Sequence, residues 1–437
     1  MGHPHLRRSV RQLYARDEKC KLPTARHGEN PTLGTALRGH ANSLGVIRLA
    51  LAFAVIFDHA FPLGGFGPDF GLGYTRQQAS LGSIAVGGFF AISGYLIVKS
   101  GMSADVLQFM WRRFLRIFPA FWTVLLVVAF IVGPAIWMAD GHELGAYFQT
   151  GPGGPFAYLT SNWNLTIGAF NILDIFQNTT PYGLAYGGSS VNGSLWTLGY
   201  EWTCYLIIAI FVAAAVLKKA KILVPVLTGF FLIAQIIQTS GTGQAASILP
   251  FLANPTSVTL TLTFLLGACL GVYSNSIPYD NRLGIFAGIV VVLTLRYGGF
   301  STVGTIAAVY FVMYLGARLP SALHWIGSKN DYSYGVYIYG FVVQQVLAYL
   351  GVWKWGYFPY VLIACIITLG LAWLSWHGIE KRAMSLKDWG PGRGLAWWAT
   401  AARNRLTRKR STSAVESALP SVSEPAFNPP AARFPQT

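Results

Sequence analysis

The stretch LGVIRLALAFAVIFDHAFPL, which runs from Leu44 to Leu63, decides the fold class of this chain. It is apolar except for Arg48, Asp58 and His59, and a helix of about 20 such residues can cross the hydrocarbon core of a bilayer. The stretch starts too far from the N-terminus, and is too long, to be the apolar region of a cleaved signal peptide. It therefore predicts a membrane-spanning helix.

More apolar segments of spanning or near-spanning length follow along the chain. They cover residues 81–98, 117–139, 196–217, 222–238, 256–273, 284–295, 301–317, 334–351 and 359–377. The sequence therefore predicts an all-α protein, a polytopic membrane helix bundle of about ten transmembrane helices.

The overall composition agrees with this class. Hydrophobic residues make up 53% of the chain and charged residues only 11%, whereas a soluble domain carries about 25% charged residues. The net charge of +16 does not indicate a nucleic-acid partner, because the basic residues lie between apolar segments and in the tails rather than on one soluble face. The four cysteines have no metal-site spacing, so no metal is predicted.

The distribution of basic residues predicts the orientation in the cell membrane. Of 32 Lys and Arg residues, 28 fall in segments that lie inside if the N-terminus is cytoplasmic. Arg76, Arg296 and Lys354 fall outside, and Arg48 lies within a span. Cytoplasmic loops carry the excess of Lys and Arg in membrane proteins, so we expect an even number of spans and two cytoplasmic termini.

The chain divides into three regions by composition. Residues 1–43 are polar and basic and predict a disordered cytoplasmic tail. Residues 44–385 contain all the apolar segments and form the membrane domain. Residues 386–437 are basic, then rich in Pro, Ser and Ala, and predict a second disordered cytoplasmic tail.

One long external loop, residues 140–195, stands out within the membrane domain. It contains no Lys or Arg, and loops of this length in compact proteins are usually functional or disordered. Aromatic residues such as Trp163, Tyr182 and Tyr186 favour an ordered cap over the bundle.

Arg48 and His59 lie in the first span, where ionisable groups are costly and indicate function. Eleven residues return to within about 20° of the same helix face and rise roughly 16 Å, so one stripe carries a guanidinium near the inner end and an imidazole near the outer end. Lipid cannot accommodate either group, so both should face the bundle interior. The alternative is an Arg that reaches the inner interface and a His that caps the outer one.

Two acidic residues are further candidates for chemistry at the outer side. Asp58 either orients the neighbouring imidazole or lies at the interface. Glu201 falls in the first turns of the fourth span, where we expect it at the depth of His59. Its alternative role is that of an acid favoured by the helix N-terminus.

Arg112, Arg113 and Arg116 cluster at the inner end of the third span. They are either an anchor of the positive-inside type or a phosphate-binding patch, because the arginine fork matches phosphate oxygens.

Taken together, these segments resemble the acyltransferase type 3 family of integral membrane O-acyltransferases, which modify O-antigens, exopolysaccharides, nodulation factors and macrolides. The resemblance runs from about residue 44 to 385 and depends on the order and spacing of several motifs. These are Arg48 with His59, Gly87-Gly-Phe-Phe-Ala-Ile-Ser-Gly-Tyr95, Arg112-Arg-Phe-Leu-Arg-Ile-Phe-Pro119, Ser194-Leu-Trp-Thr-Leu-Gly-Tyr-Glu201, Tyr332-Ser-Tyr-Gly335 and Trp376-His-Gly-Ile-Glu380.

The resemblance implies a specific reaction. The donor would be acyl-CoA, as a co-substrate on the cytoplasmic side with no bound cofactor, and the acyl group is expected to be acetyl. The acceptor would be a hydroxyl of a carbohydrate, a lipid-linked molecule or another envelope or secondary-metabolite compound. His59 becomes the candidate base or a transient acyl carrier, whereas Arg48 and the arginine cluster become candidate donor contacts.

The alternative function is a membrane transporter or flippase with no acyl-transfer chemistry. Charges buried along one helix face could equally line a substrate path. Transporters often contain repeated halves, and this sequence has no convincing internal repeat.

Overall fold

The computed structural model describes residues 31–39, 42–240 and 250–404. Within these residues, ten long helices correspond to the ten predicted apolar segments. They are α1 (Leu44–Leu63), α2 (Leu81–Ser103), α3 (Val106–Ala139), α4 (Gly193–Ala213), α5 (Leu223–Thr239), α6 (Pro255–Val272), α7 (Asn281–Tyr297), α8 (Phe300–Arg318), α9 (Ser333–Tyr349) and α10 (Tyr357–Ser385). The same residues contain no β-strand, only one isolated bridge between Thr32 and Pro278.

Seven of these helices are long and apolar enough to cross a membrane. The other three, α5, α7 and α9, have 17 residues each, which is the lower limit of about 17 for a span. Large apolar side chains point outward from the bundle, and Ile210, Phe286 and Ile366 are each more than 60% exposed. A row of such side chains suits contact with lipid rather than water. The predicted polytopic helix bundle is confirmed.

Polar side chains define where several helices begin. Ser80 accepts a hydrogen bond from the backbone N–H of Ser83 at the start of α2, and Asp105 accepts one from Gln108 at the start of α3. Each cap satisfies a backbone donor that the first helical turn leaves free.

The centre of the bundle is built from α2, α6 and α9. A Cβ atom on Gly94 of α2 would lie 1.9 Å from the carbonyl oxygen of Phe264, so only glycine permits α2 and α6 to pack this closely. Helix α9 is buried from Ser333 to Gln345, and it packs between α1 and α10. Because α9 adjoins α1, it can contact the whole Arg48–His59 stripe.

The predicted external loop is folded. Between α3 and α4 it forms short helices at Leu144–Tyr147, Pro155–Asn162 and Pro181–Tyr186. Tyr147 and Phe176 of this loop are fully buried and belong to the main hydrophobic core of the bundle. Trp163 and Tyr186, two of the aromatics that suggested an ordered cap, are instead about 60% exposed.

Parts of both predicted tails are also folded, which differs from the expectation of disorder. Leu33–Ala36 forms a short helix, because Leu33 and Leu37 are apolar and bury their side chains against the bundle. The backbone N–H of Gly34 donates to the carbonyl of Ser274 at 2.8 Å. Residues 1–30, 40 and 41 of the predicted tail lie outside the described residues.

The C-terminal segment behaves in the same way up to residue 404. Gly390–Arg393 forms a short 3-10 helix, and residues 395–404 are helical. Asp105 accepts a hydrogen bond from the backbone N–H of Leu395 at 2.8 Å, which ties this segment to the start of α3. Residues 405–437 lie outside the described residues. The remaining short helices are Val216–Lys219, Pro250–Ala253, Ser321–Leu323 and Val352–Trp355.

Candidate functional site

Arg48 and His59 both face α9 in the bundle interior. The guanidinium of Arg48 lies 2.6 Å from a carboxylate oxygen of Asp331, two residues before α9 begins. The imidazole of His59 contacts the ring of Phe341 on α9, with ring centroids 5.3 Å apart in an edge-to-face arrangement. The two ends of the stripe therefore contact the residue that lies just before α9 and the middle of that helix.

Asp331 joins two arginines. Its Oδ2 atom accepts a hydrogen bond of 2.6 Å from Arg48 and another of 2.6 Å from Arg116, and its Oδ1 atom accepts one from the hydroxyl of Ser333. Burial alone would raise the pKa of Asp331, but the two guanidinium groups outweigh burial and lower it to about 2. This carboxylate therefore stays charged and holds both arginines in place.

Arg116 lines an interior cavity, but its charge is paired with two carboxylates. Besides Asp331, it lies 3.5 Å from a carboxylate oxygen of the buried Glu380. The rings of Tyr334 and Trp376 lie 5.7 Å from its guanidinium carbon. Neither Asp331 nor Glu380 was a candidate from the sequence, although an acid beside a span is a usable signal in a chain with only 16 acidic residues.

The structure separates the three arginines of the cluster. Arg112 pairs at 2.9 Å with Asp388, whose side chain is 64% exposed, and so belongs to the surface of the bundle. Arg113 lines an interior cavity instead. Among the described residues Arg113 forms no ion pair, whereas Arg112 and Arg116 do, and the Nε atoms of Arg112 and Arg113 both lack a hydrogen-bond partner. Arg113 is thus the member of the cluster whose charge is available to a ligand.

Glu201 lies with the arginines rather than with His59. It lines the same cavity as Arg113, and it accepts hydrogen bonds from Ser93 at 3.0 Å and from the hydroxyl of Tyr205 at 2.5 Å. The expectation that Glu201 lies at the depth of His59 is therefore wrong.

The reason is the path of the chain that precedes α4. Asn192 donates a hydrogen bond of 2.9 Å to the carbonyl of Ile338, and Gln345 donates one of 2.7 Å to the carbonyl of Ser190. Both partners lie on α9, and Ile338 is only five residues from its inner end. The loop descends into the bundle before α4 begins, so the first turns of α4 are deep.

Asp58 contacts the start of α2 and not the imidazole. It accepts a hydrogen bond of 3.0 Å from Ser80, and a Cβ atom on Gly82 would lie 2.3 Å from its Oδ2 atom. A carboxylate at this place is favoured by the backbone N–H groups of the helix N-terminus. Within the described part of the chain, no hydrogen bond joins Asp58 to His59, although both line the same cavity.

Four cavities follow one another through the bundle, where inner and outer refer to the predicted orientation. The inner mouth has a volume of about 210 Å³ and shares Arg48 and Leu96 with the inner cavity, which has a volume of about 100 Å³ and also contains Arg113. The inner cavity in turn shares Val86 and Tyr337 with an upper cavity of about 480 Å³. Each shared pair lines both of the neighbouring cavities, and Val86 with Tyr337 is called the wall between the inner and upper cavities below.

His59 stands where the upper cavity meets the outer side. Together with Asp69 it lines both the upper cavity and an outer vestibule of about 610 Å³. Burial raises the pKa of Asp69, a residue that the sequence did not single out. The vestibule lies beneath the folded loop and has aromatic walls that include Phe170, Tyr182 and Tyr186. The arrangement brings an imidazole between a wide outer space and a narrow cationic inner one.

The long apolar helices define a multi-pass membrane protein, and its interior cavities join a cationic end to an imidazole. A family described as an acyltransferase domain matches residues 42–377. This chain belongs to that acyltransferase family, which confirms the resemblance and the enzymatic interpretation over the transporter alternative.

Two curated proteins are similar over most of the chain. An "O-acetyl transferase" of Shigella phage Sf6 is 30% identical over 358 residues, which cover 79% of this chain and 96% of the relative. "Nodulation protein 10" of Rhizobium leguminosarum bv. viciae is 27% identical over 369 residues, which cover 80% of this chain and 95% of the relative. No solved structure matches this chain.

Proposed function

We propose that this protein is a membrane O-acyltransferase of the cell membrane with both termini cytoplasmic. It takes an acyl group, most simply acetyl, from cytoplasmic acyl-CoA and transfers it to a hydroxyl of a carbohydrate or another envelope or secondary-metabolite acceptor. The name of the phage relative supports oxygen as the acceptor atom and acetyl as the transferred group.

The observation that carries the proposal is the series of cavities, in which His59 lies at the junction of the upper cavity and the vestibule. The donor end holds Arg48 and Arg113, and arginine suits the phosphate groups of a coenzyme A thioester. The acceptor end is wide and lined by aromatic rings, which suit the apolar faces of sugar rings. His59 and Asp69 are both ionisable, and each lines both the upper cavity and the vestibule.

The chemistry requires one proton acceptor near the junction. The imidazole of His59 takes the proton of the acceptor hydroxyl while the hydroxyl oxygen attacks the carbonyl carbon of the thioester. The carbon–sulfur bond breaks, and the departing thiolate takes the proton from the imidazolium, which leaves an ester and free coenzyme A. Such acid–base assistance accelerates reactions typically by about 10²–10⁴-fold.

Inverted membrane vesicles test the proposal directly. They are prepared from a strain that lacks the gene and carries either wild-type protein or a variant, so the unmodified acceptor is present and the cytoplasmic face is outward. Radiolabelled acetyl-CoA is added, and alkali-labile label in extracted glycans and lipids is measured. We expect transfer by the wild type and a loss of at least about 100-fold in His59→Ala.

His142→Ala is the matched control, because His142 lies on the external loop and stacks on Trp137 away from the passage. Transfer by His59→Ala at the wild-type rate, with equal protein in the membrane, would remove His59 from the mechanism. Label that stays on wild-type protein but not on His59→Ala would instead identify His59 as an acyl carrier.

A further inference from the structure

The wall between the inner and upper cavities is rigid. Tyr337 is buried, and its hydroxyl forms a hydrogen bond of 2.6 Å with the hydroxyl of Thr197. Its ring also packs edge-to-face on Phe89, with centroids 5.8 Å apart. Val86, the other member of the wall, is buried on α2 and β-branched, and such side chains have one strongly preferred rotamer in a helix. Tyr337 cannot move aside without breaking these contacts, and the preferred rotamer disfavours a rotation of Val86.

This wall separates the two groups that the proposed reaction must bring together. Arg113 and Glu201 lie on its inner side, in the inner cavity, and His59 lies on its outer side, in the upper cavity. If the donor enters from the inner mouth, its acyl end has to pass between Val86 and Tyr337 before the thioester carbonyl reaches His59.

The cavity of smallest volume also lies on the donor side. The inner cavity has a volume of about 100 Å³, compared with about 480 Å³ for the upper cavity and about 610 Å³ for the vestibule. In the proposed reaction the acyl group therefore crosses the small inner cavity before it reaches the larger upper cavity.

We propose that Val86 and Tyr337 form a cross-section filter that admits unbranched acyl groups and excludes those branched next to the carbonyl. The inference rests on the proposed function, since it assumes an acyl thioester that enters from the inner side. A straight chain presents the width of one methylene group to the wall. A branch at the first carbon adds a methyl group at the same level, which the rigid wall cannot accommodate without displacement.

Two isomeric donors test the filter. Radiolabelled n-butyryl-CoA and isobutyryl-CoA have the same number of atoms and differ only in the branch, and acetyl-CoA serves as the reference. Rates are measured in the inverted vesicles described above. We expect wild-type protein to transfer isobutyryl at least about 10-fold more slowly than n-butyryl, since one misplaced methyl or methylene group costs about 10–200-fold in a fitted pocket.

Variants of Val86 move the ratio in opposite directions. Val86→Ala widens the wall, and we expect isobutyryl transfer to rise about 10-fold relative to acetyl. Val86→Ile adds one methylene group to the wall, and we expect n-butyryl transfer to fall relative to acetyl transfer. Val98→Ala is the matched control, because Val98 is buried on the same helix but lines none of the four cavities.

The filter is refuted if wild-type protein transfers both isomers equally, if Val86→Ala keeps the wild-type ratio, or if Val98→Ala changes the ratio as much as Val86→Ala does. These results are distinct from failure of the proposed function. If the proposed function were wrong, wild-type vesicles would transfer no acetyl group at all.

Discussion

Arg112 and Arg113 are neighbours in the sequence, yet only one of them faces the interior passage. Arg113 lines the inner cavity, whereas Arg112 pairs with the exposed carboxylate of Asp388. Arg113 forms no ion pair among the described residues, although Glu201 lines the same cavity, and an anionic ligand would reduce the cost of burying its charge. At the scale of single residues, this difference separates the proposed donor contact from a surface ion pair.

We expect Arg113→Ala to raise the KM for acetyl-CoA by at least about 10-fold, because a hydrogen bond to a charged group contributes about 1.5–3 kcal/mol. Arg112→Ala, the matched control, should leave that KM within about twofold of the wild type. Kinetics in inverted vesicles at varied donor concentration provide the measurement. An equal effect of both substitutions would contradict the assignment of Arg113 to the donor.

Asp331 should contribute to stability as well as to the site. Its pKa is lowered from 3.8 to about 2, which corresponds to about 2 kcal/mol at about 1.4 kcal/mol per pKa unit. We expect Asp331→Asn to lower the free energy of unfolding in detergent by about that amount at pH 7. Asp388→Asn, which removes an exposed partner, should change it by less than about 0.5 kcal/mol.

The effect of Asp331 should depend on pH in a defined direction. The folded pKa lies below the unfolded one, so the stabilisation is complete above about pH 4 and is lost as the pH falls towards about 2. Thermal unfolding of wild type and Asp331→Asn, compared from neutral to acidic pH, provides the measurement. A difference between the two proteins that persists unchanged into strong acid would show that it does not arise from the charge of Asp331.

At the scale of elements, the descent of the external loop into the bundle determines the depth of α4. Gln345 holds this loop through the carbonyl of Ser190, while its neighbour Gln344 donates a hydrogen bond of 2.8 Å to the carbonyl of Ile56 on α1. The two glutamines are both fully buried and differ only in the element that they hold. A substitution of Gln345 should therefore loosen the loop, whereas the same substitution of Gln344 should loosen the contact between α9 and α1 instead.

We expect Gln345→Leu to expose the loop to proteolysis. A buried carbonyl that loses its donor costs about 1–3 kcal/mol, so local opening should increase about 10-fold. The loop contains no Lys or Arg, so chymotrypsin, which cleaves at aromatic residues, is the suitable protease. Cleavage between residues 140 and 192 is followed in detergent. Gln344→Leu is the control, and equal cleavage in both variants would show that Gln345 does not hold the loop.

At the scale of the whole molecule, the function depends on orientation, because the cationic mouth must face the compartment that contains the donor. The four native cysteines are first replaced by serine, and one cysteine is then introduced at Gly145 or at Ser276, both of which are exposed. A membrane-impermeant maleimide should label Gly145→Cys in intact cells and Ser276→Cys only after permeabilisation. The reverse pattern would invert the orientation and exclude a cytoplasmic donor at the arginine end.

The sequence by itself determined the ten helices and the stripe on α1. The length of a span depends on the thickness of the bilayer, and the shared face of Arg48 and His59 depends on the period of the helix, so both follow from local sequence. The family motifs keep their order along the chain, so they identify the class of enzyme without any information on contacts between helices.

Only the tertiary structure decided which groups meet. Arg48 and its partner Asp331 are 283 residues apart, and no local pattern links them. The depth of Glu201, the separation of Arg112 from Arg113 and the wall formed by Val86 with Tyr337 all depend on how distant helices and the external loop pack together. Local periodicity defines the face on which a side chain lies, but packing between distant segments determines what that face contacts.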